Sequence, residues 1–123
     1  MRLLIVDDDP TVVEVLKTAF TIFSYECHTA MTGDDEALEA VEAHHPHLVL
    51  LDAILPGTNG FEVCRKIKTG AKPQQTRVVM ISGYLDETDK GFARICGADG
   101  WVVKPFSIEA LRERVETVLA KKR

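Results

Sequence analysis

Apolar residues along this chain follow two rhythms. Consecutive apolar runs, Leu3 to Val6, Leu48 to Leu51, Val78 to Ile81 and Trp101 to Val103, alternate with stretches of helical spacing. A consecutive run puts side chains on both sides of an extended strand, so these strands are expected to be buried on both faces. Tyr25 to Ala30 is a weaker, more polar strand that belongs nearer an edge. Between the strands, Val12, Val13, Leu16, Ala19, Phe20 and Phe23 predict a first helix to about Ser24, with Asp9 as cap and Pro10 in its first turn. Thr32-Gly33-Asp34 starts a second helix with Ala37, Leu38 and Val41 inward, ending near His45-Pro46. "LPGTNG" is loop chemistry ahead of a third helix from about Phe61 to Lys68, and "TGAKPQQ" is a second loop. A fourth helix is expected over 86–96, anchored by Phe92 and Ile95. It should be the least stable of the helices, because Gly91 costs about 1 kcal/mol relative to Ala. Ser107 caps a last helix with Ile108, Leu111, Val115 and Leu119 on one face.

The resulting order is (βα)5. Buried strands alternating with helices imply an α/β fold of three layers: a parallel sheet with helices on both faces, reached by right-handed crossovers.

Length and charge narrow the function. The 123 residues suit a single domain spanning 1–123, with Lys121-Lys122-Arg123 as a basic tail or the start of a linker. A net charge of -4 argues against a nucleic-acid surface. No apolar stretch approaches the roughly 20 residues of a membrane span, and no signal-peptide pattern opens the chain. Three widely spaced cysteines, Cys27, Cys64 and Cys96, suit reduced thiols packed as small apolar residues in a cytoplasmic protein.

The candidate chemistry lies where the buried strands end. Parallel sheets place ligands beyond the carboxyl ends of their strands. Here the first strand is followed by Asp7 and Asp8, the third by Asp52, the fourth by Ser82 and the fifth by Lys104. Each alone is only a chain leaving the core; together they carry information. Two carboxylates about 4 Å apart repel by about 4 kcal/mol at an effective dielectric near 20. Lys104 brings a single opposing charge. A hard divalent cation answers the excess, and Mg²⁺ fits best, since it binds through one or two carboxylates plus phosphate oxygens. The remaining carboxylate is then free as a nucleophile, and aspartate nucleophiles accept phosphoryl groups. Lysine and hydroxyl suit the oxygens of a phosphoryl in transfer.

These residues, in "LLIVDDDP", "LVLLDAILPGTNGFEV", "VVMISGY" and "GADGWVVKPF", resemble the receiver domain of two-component response regulators. The likeness runs from about Arg2 to Lys121, and the intervals of 44 residues from Asp8 to Asp52, 30 to Ser82 and 22 to Lys104 agree with it. The resemblance implies a flavodoxin-like fold with strand order 2-1-3-4-5. It implies that Asp7 and Asp8 hold Mg²⁺, with Asp8 the direct ligand, and that the Ile54 carbonyl completes the metal site with Asp52. It implies that Asp52 takes a phosphoryl group from a sensor histidine kinase or phosphotransfer protein, that Ser82 is the switch hydroxyl and that Lys104, before a cis Pro105, pairs with the phosphate. Trp101 occupies the position of an aromatic residue that changes rotamer on activation. An output domain or partner protein would be met by the surface of the fourth helix, fifth strand and last helix, and a phosphorylation-dependent homodimer is compatible with the family. The domain is a phosphoacceptor rather than an enzyme in its own right, beyond Mg²⁺-dependent self-phosphorylation and slow autodephosphorylation. Tyr84 and Ile54, two residues after Ser82 and Asp52, are bulky enough to hinder an attacking water and lengthen the phosphoryl lifetime.

Other assignments fit less well. Asp7-Asp8-Asp9-Pro10-Thr11 also fits D-x-D-x-T, the first motif of haloacid-dehalogenase-type phosphohydrolases, with Asp7 as nucleophile and Ser82 and Lys104 in the next two motifs. That family needs an acidic pair beyond the lysine, where this chain has Phe106-Ser107-Ile108, and it leaves Asp52 unexplained. A flavin site fails because Asp7 to Asp9 would repel its phosphate. A receiver that only docks partners is the remaining alternative. His44, His45 and His47 are expected to be solvated residues at a helix end rather than metal ligands.

Overall fold

The computed structural model describes residues 1–32, 35–70, 76–83, 91 and 94–121. Its main sheet joins β1 (Arg2–Val6), β2 (Glu26–Ala30), β3 (Leu48–Asp52), β6 (Arg77–Ser82) and β7 (Gly100–Val103), all parallel, in the order β2-β1-β3-β6-β7. Counting only these five strands, the order is the expected 2-1-3-4-5. The two remaining strands, β4 (Ile54–Leu55) and β5 (Thr58–Asn59), pair antiparallel as a separate hairpin where the sequence suggested only a loop. Pro56-Gly57 makes its corner, and Gly57 has a φ of 70°, a conformation that glycine enters without a Cβ penalty.

The central strands β1, β3 and β6 are buried almost throughout, and β2 is mostly not, as its polar composition predicts for an edge. Alternate strand residues feed two cores. Leu4, Val6, Val49, Leu51, Val78 and Met80 pack under the second helix (Asp35–His44) and the third helix (Gly60–Lys68). Leu3, Ile5, Leu48, Leu50, Val79 and Ile81 pack under the first helix (Pro10–Ile22) and the last helix (Ile108–Ala120). A sheet covered on both faces must be apolar at consecutive positions, which is the pattern visible in the sequence.

Caps fix where the helices begin. Asp9 accepts the Thr11 N–H, Asn59 accepts the Phe61 N–H and Ser107 accepts the Ala110 N–H. Glu36 reaches back to accept the Met31 N–H at 2.7 Å, holding the entry to the second helix.

Most of the expected fourth helix lies outside the described residues, Phe92 included. Residues 91, 94 and 95 are helical. Ile95 is not the inward anchor it was expected to be: it is 81 % exposed. The chain turns at Gly97, and it is Cys96 and Ala98 that reach the core in its place. The histidines also differ from expectation. Of the three, only His45 is exposed; His47 Nδ1 accepts the Arg2 N–H at 2.9 Å, and the His44 ring stacks on His28. The three cysteines carry free thiols. Among the described residues no helix is long and apolar enough to cross a membrane.

Candidate functional site

Parallel register builds the site. Val6 pairs with Leu51, Asp52 with Ile81 and Ser82 with Val103, so the next residue of each strand emerges at the same edge. Asp7 therefore stands beside Asp52, and Lys104 follows Val103 at Ser82. The Lys104 N–H donates to the Ser82 carbonyl at 2.6 Å, which continues the ladder one residue past β7. The Lys104–Pro105 bond is cis.

Asp7, Asp8 and Asp52 each offer one carboxylate oxygen, and these oxygens lie within 4.8 Å of one another. Asp7 and Asp52 are buried, while Asp8 faces solvent. The Lys104 ammonium sits 3.4 Å from Asp7 Oδ2 and 3.7 Å from Asp52 Oδ2, between the two buried acids. Among the described residues, three carboxylates thus share one cation. The arrangement shows in Asp52: burial pushes its carboxyl up from the usual range, Asp7 and Asp8 push the same way, and the Ile54 N–H and Lys104 oppose them.

The three neighbouring acids of the first strand end differ in role. Asp7 Oδ1 accepts the Asp9 N–H at 2.9 Å, leaving Oδ2 toward Lys104. Asp9 is occupied as the helix cap, and Asp8 is the exposed member. Asp52 Oδ1 accepts the Ile54 N–H at 3.1 Å, which likewise leaves Oδ2 on the side of Lys104. The Ile54 side chain itself is 76 % exposed at the rim, on the β4–β5 hairpin. Tyr84 lies outside the described residues. Ser82 is buried at the end of β6, and Trp101 is half-buried in β7, one register pair nearer the strand start than Val102.

Two contributors were not foreseen. A Cβ on Gly60 would stand 2.3 Å from the Asp52 carbonyl oxygen and 2.7 Å from Ala53 Cα. The third helix therefore starts directly against the backbone of the buried acid, tied there by the Gly60 N–H to Ala53 carbonyl bond of 2.9 Å. The signal was the Asn59-Gly60 pair, a cap followed by the one residue thin enough for that approach. The second is Arg94, whose guanidinium lies over the Trp101 ring. Nothing in the spacing of the two residues announces that contact.

One sheet edge thus holds a buried acid pair, an exposed third acid, a lysine between the buried pair and a serine. The profile of the response regulator receiver domain matches residues 3–116, and the chain belongs to that family, a family of signalling domains in two-component systems. It is 36% identical over 118 residues to the response regulator ArlR of Staphylococcus aureus, covering 96% of this chain and 52% of that protein. The CheY-like response regulator receiver domain protein of Methanospirillum hungatei superimposes with a TM-score of 0.89 at 30% identity, over 96% of this chain and 92% of that one. The BeF3-activated receiver domain of DrrB superimposes with a TM-score of 0.84 at 30% identity, over 98% and 97%. The chain spans about half the length of the curated relatives it matches.

Proposed function

We propose that the chain is one receiver domain, with 121–123 as a basic tail, that accepts a phosphoryl group on Asp52 from a histidine kinase or phosphotransfer protein in the cytoplasm. The observation that carries this is the excess of acid at the site: among the described residues, three carboxylates within 4.8 Å face one ammonium. Such a cluster fits a divalent cation, with Asp7, Asp8, Asp52 and the Ile54 carbonyl as its holders. When bound, Mg²⁺ supplies positive charge to the oxygens of the incoming phosphoryl and to the acids around it.

The remaining work falls to the chain's own residues. A carboxylate oxygen of Asp52 forms the new O–P bond as the P–N bond of a phosphohistidine breaks, and the bonding pair leaves on the imidazole nitrogen. Oδ2 is the oxygen for this role, because Oδ1 already accepts the Ile54 N–H. Lys104 pairs with the phosphoryl oxygens, and the Ser82 hydroxyl donates to them. A hydrogen bond to a charged group is worth about 1.5–3 kcal/mol net, enough to shift a two-state equilibrium by about 10- to 150-fold. The shift would pass from Ser82 along β6 and β7 to Trp101 and the face of the fourth helix, β7 and the last helix, where an output domain, a partner protein or a second copy would read it. The solved BeF3-activated form of DrrB supports the use of beryllofluoride as a phosphoryl mimic here. Three free thiols suit a reducing compartment.

Acetyl phosphate with Mg²⁺ should label Asp52, located by mass spectrometry of peptides, and the label should vanish in Asp52→Asn and after chelation of the metal. Label on Asp7 would support the phosphohydrolase alternative instead. No label, with no Mg²⁺-dependent change in melting temperature, would leave only a docking role.

A further inference from the structure

The geometry points to Arg94 as a latch that holds Trp101 in the resting arrangement of the chain. This rests on the proposal that phosphoryl on Asp52 is coupled to Trp101.

Trp101 is the only tryptophan, and it is half-buried. It pairs in register with Met80 and packs on the same core that the third helix covers, beside Cys96 and Ala98. The Arg94 guanidinium carbon stands 5.1 Å from the centre of its ring, so the cation faces the electron-rich side of the indole. Arg94 is itself exposed.

The local backbone fixes this contact. The Arg94 carbonyl accepts the Gly97 N–H at 3.0 Å, so Arg94 stands on the last turn before the chain reverses into β7. Gly97 makes the reversal with a φ of 90°, and a Cβ there would press on Lys68 Cγ at 3.1 Å. Lys68 is in turn held by the Thr76 carbonyl and by Asp99. The turn between Arg94 and Trp101 is therefore packed from the side by Lys68, and it carries Arg94 to the face of the ring.

A ring that moves toward Met80 and the third helix moves away from the guanidinium and loses the attraction. A cation–π contact at a partly exposed site is worth about a 2- to 5-fold bias between two arrangements. Couplings between sites commonly amount to about 5- to 150-fold. The latch is thus weaker than the signal: it lowers activity at rest without preventing activation.

The experiment uses the full chain with Mg²⁺ and beryllofluoride. Bound beryllofluoride is followed by fluorine NMR and Trp101 by its emission, in the natural chain, Arg94→Met and Arg94→Lys. Methionine keeps the apolar stem and removes the charge; lysine keeps a cation of poorer shape. Arg94→Met should lower the half-saturating beryllofluoride by about 2- to 5-fold, and its resting emission should lie partway toward the saturated value. Arg94→Lys should fall between. An unchanged half-saturation in Arg94→Met, with the emission response intact, overturns the latch. Bound beryllofluoride in the natural chain without any change in Trp101 emission instead overturns the coupling on which the latch rests.

Discussion

The two edges of one sheet are built on opposite charge arithmetic. At the amino edge, where the helices end, cations meet helix carbonyls. Arg2 donates to the carbonyls of His44 and His45 at the end of the second helix. Arg77 donates to those of Val118, Leu119 and Lys121 at the end of the last. Lys68 is paired with Asp99 at 2.9 Å and with the Thr76 carbonyl at 2.8 Å. Cations at helix carboxyl ends satisfy orphan carbonyls and oppose the macrodipole, so these three cations are partnered within the chain. At the carboxyl edge, among the described residues, three carboxylates share Lys104, an excess of acid that could hold a metal ion. Both edges are rich in charged residues, and what separates scaffold from candidate site is whether the charges find partners inside the chain.

Substitutions at the two edges should therefore behave differently. The largest effect belongs to the amino edge. Asp99 accepts the Val78 N–H at 2.8 Å as well as Lys68, and both members of the ion pair are largely buried. Asp99→Ala should cost about 3 kcal/mol in urea unfolding, the usual penalty for removing one side of a buried pair, while phosphoryl acceptance per folded molecule changes little. A loss well under 1 kcal/mol would blur the contrast between the edges. Next comes Gly60→Ala. The added methyl has only backbone to push against, so stability should fall by about 1–3 kcal/mol. Here acceptance by Asp52 should fall as well, because the displaced atoms carry that residue; a variant that loses stability but labels at the natural rate would contradict this.

Asp52→Asn should have a smaller effect of the opposite sign. Burial holds the folded carboxyl above its ordinary 3.8, so the folded chain keeps a proton over a range where the unfolded chain has lost it. Ionised Asp52 is then a burden that grows as pH rises through that range. Near neutral pH, Asp52→Asn should gain about 1 kcal/mol, and the gain should fade below about pH 4, read from melting curves across pH. His47 should show the smallest effect, again of reverse sense. Burial first, and Arg2 second, hold it below its ordinary 6.5, and its neutral Nδ1 receives the Arg2 N–H. Its contribution is present above about pH 6.5 and is lost as pH falls through the folded value. His47→Gln, which keeps an acceptor, should flatten part of the acid-side loss of stability. Acid thus relieves one edge and loosens the other.

The sequence made the carboxyl edge far more legible than the amino edge. Strand ends announce themselves: an apolar run stops at Asp7, Asp52, Ser82 or before Lys104, and parallel register brings those stops together. The order of the five strands followed from the family likeness that the same stops carried. The amino edge leaves no such mark. Arg2, Lys68 and Arg77 find their carbonyls across 42, 8 and 41 residues, and no local pattern encodes those distances. Asp99 was visible in "GADG" only as part of a motif, not as the partner of Lys68. Ile95 misled because helical spacing says which residues share a face, not where the turn at Gly97 cuts that face short. The hairpin at Ile54–Asn59 was hidden because two-residue strands are too short to show an alternation.

The clamp that Arg77 places on the last helix has a geometric consequence. It holds Lys121 at the edge of the sheet opposite Asp52. Acids and clamp are separated by the length of a strand, about 15 Å at 3.3 Å per residue. The end of the last helix cannot feel the acids by touch, and news of them has to reach it through a stiff beam of hydrogen-bonded backbone.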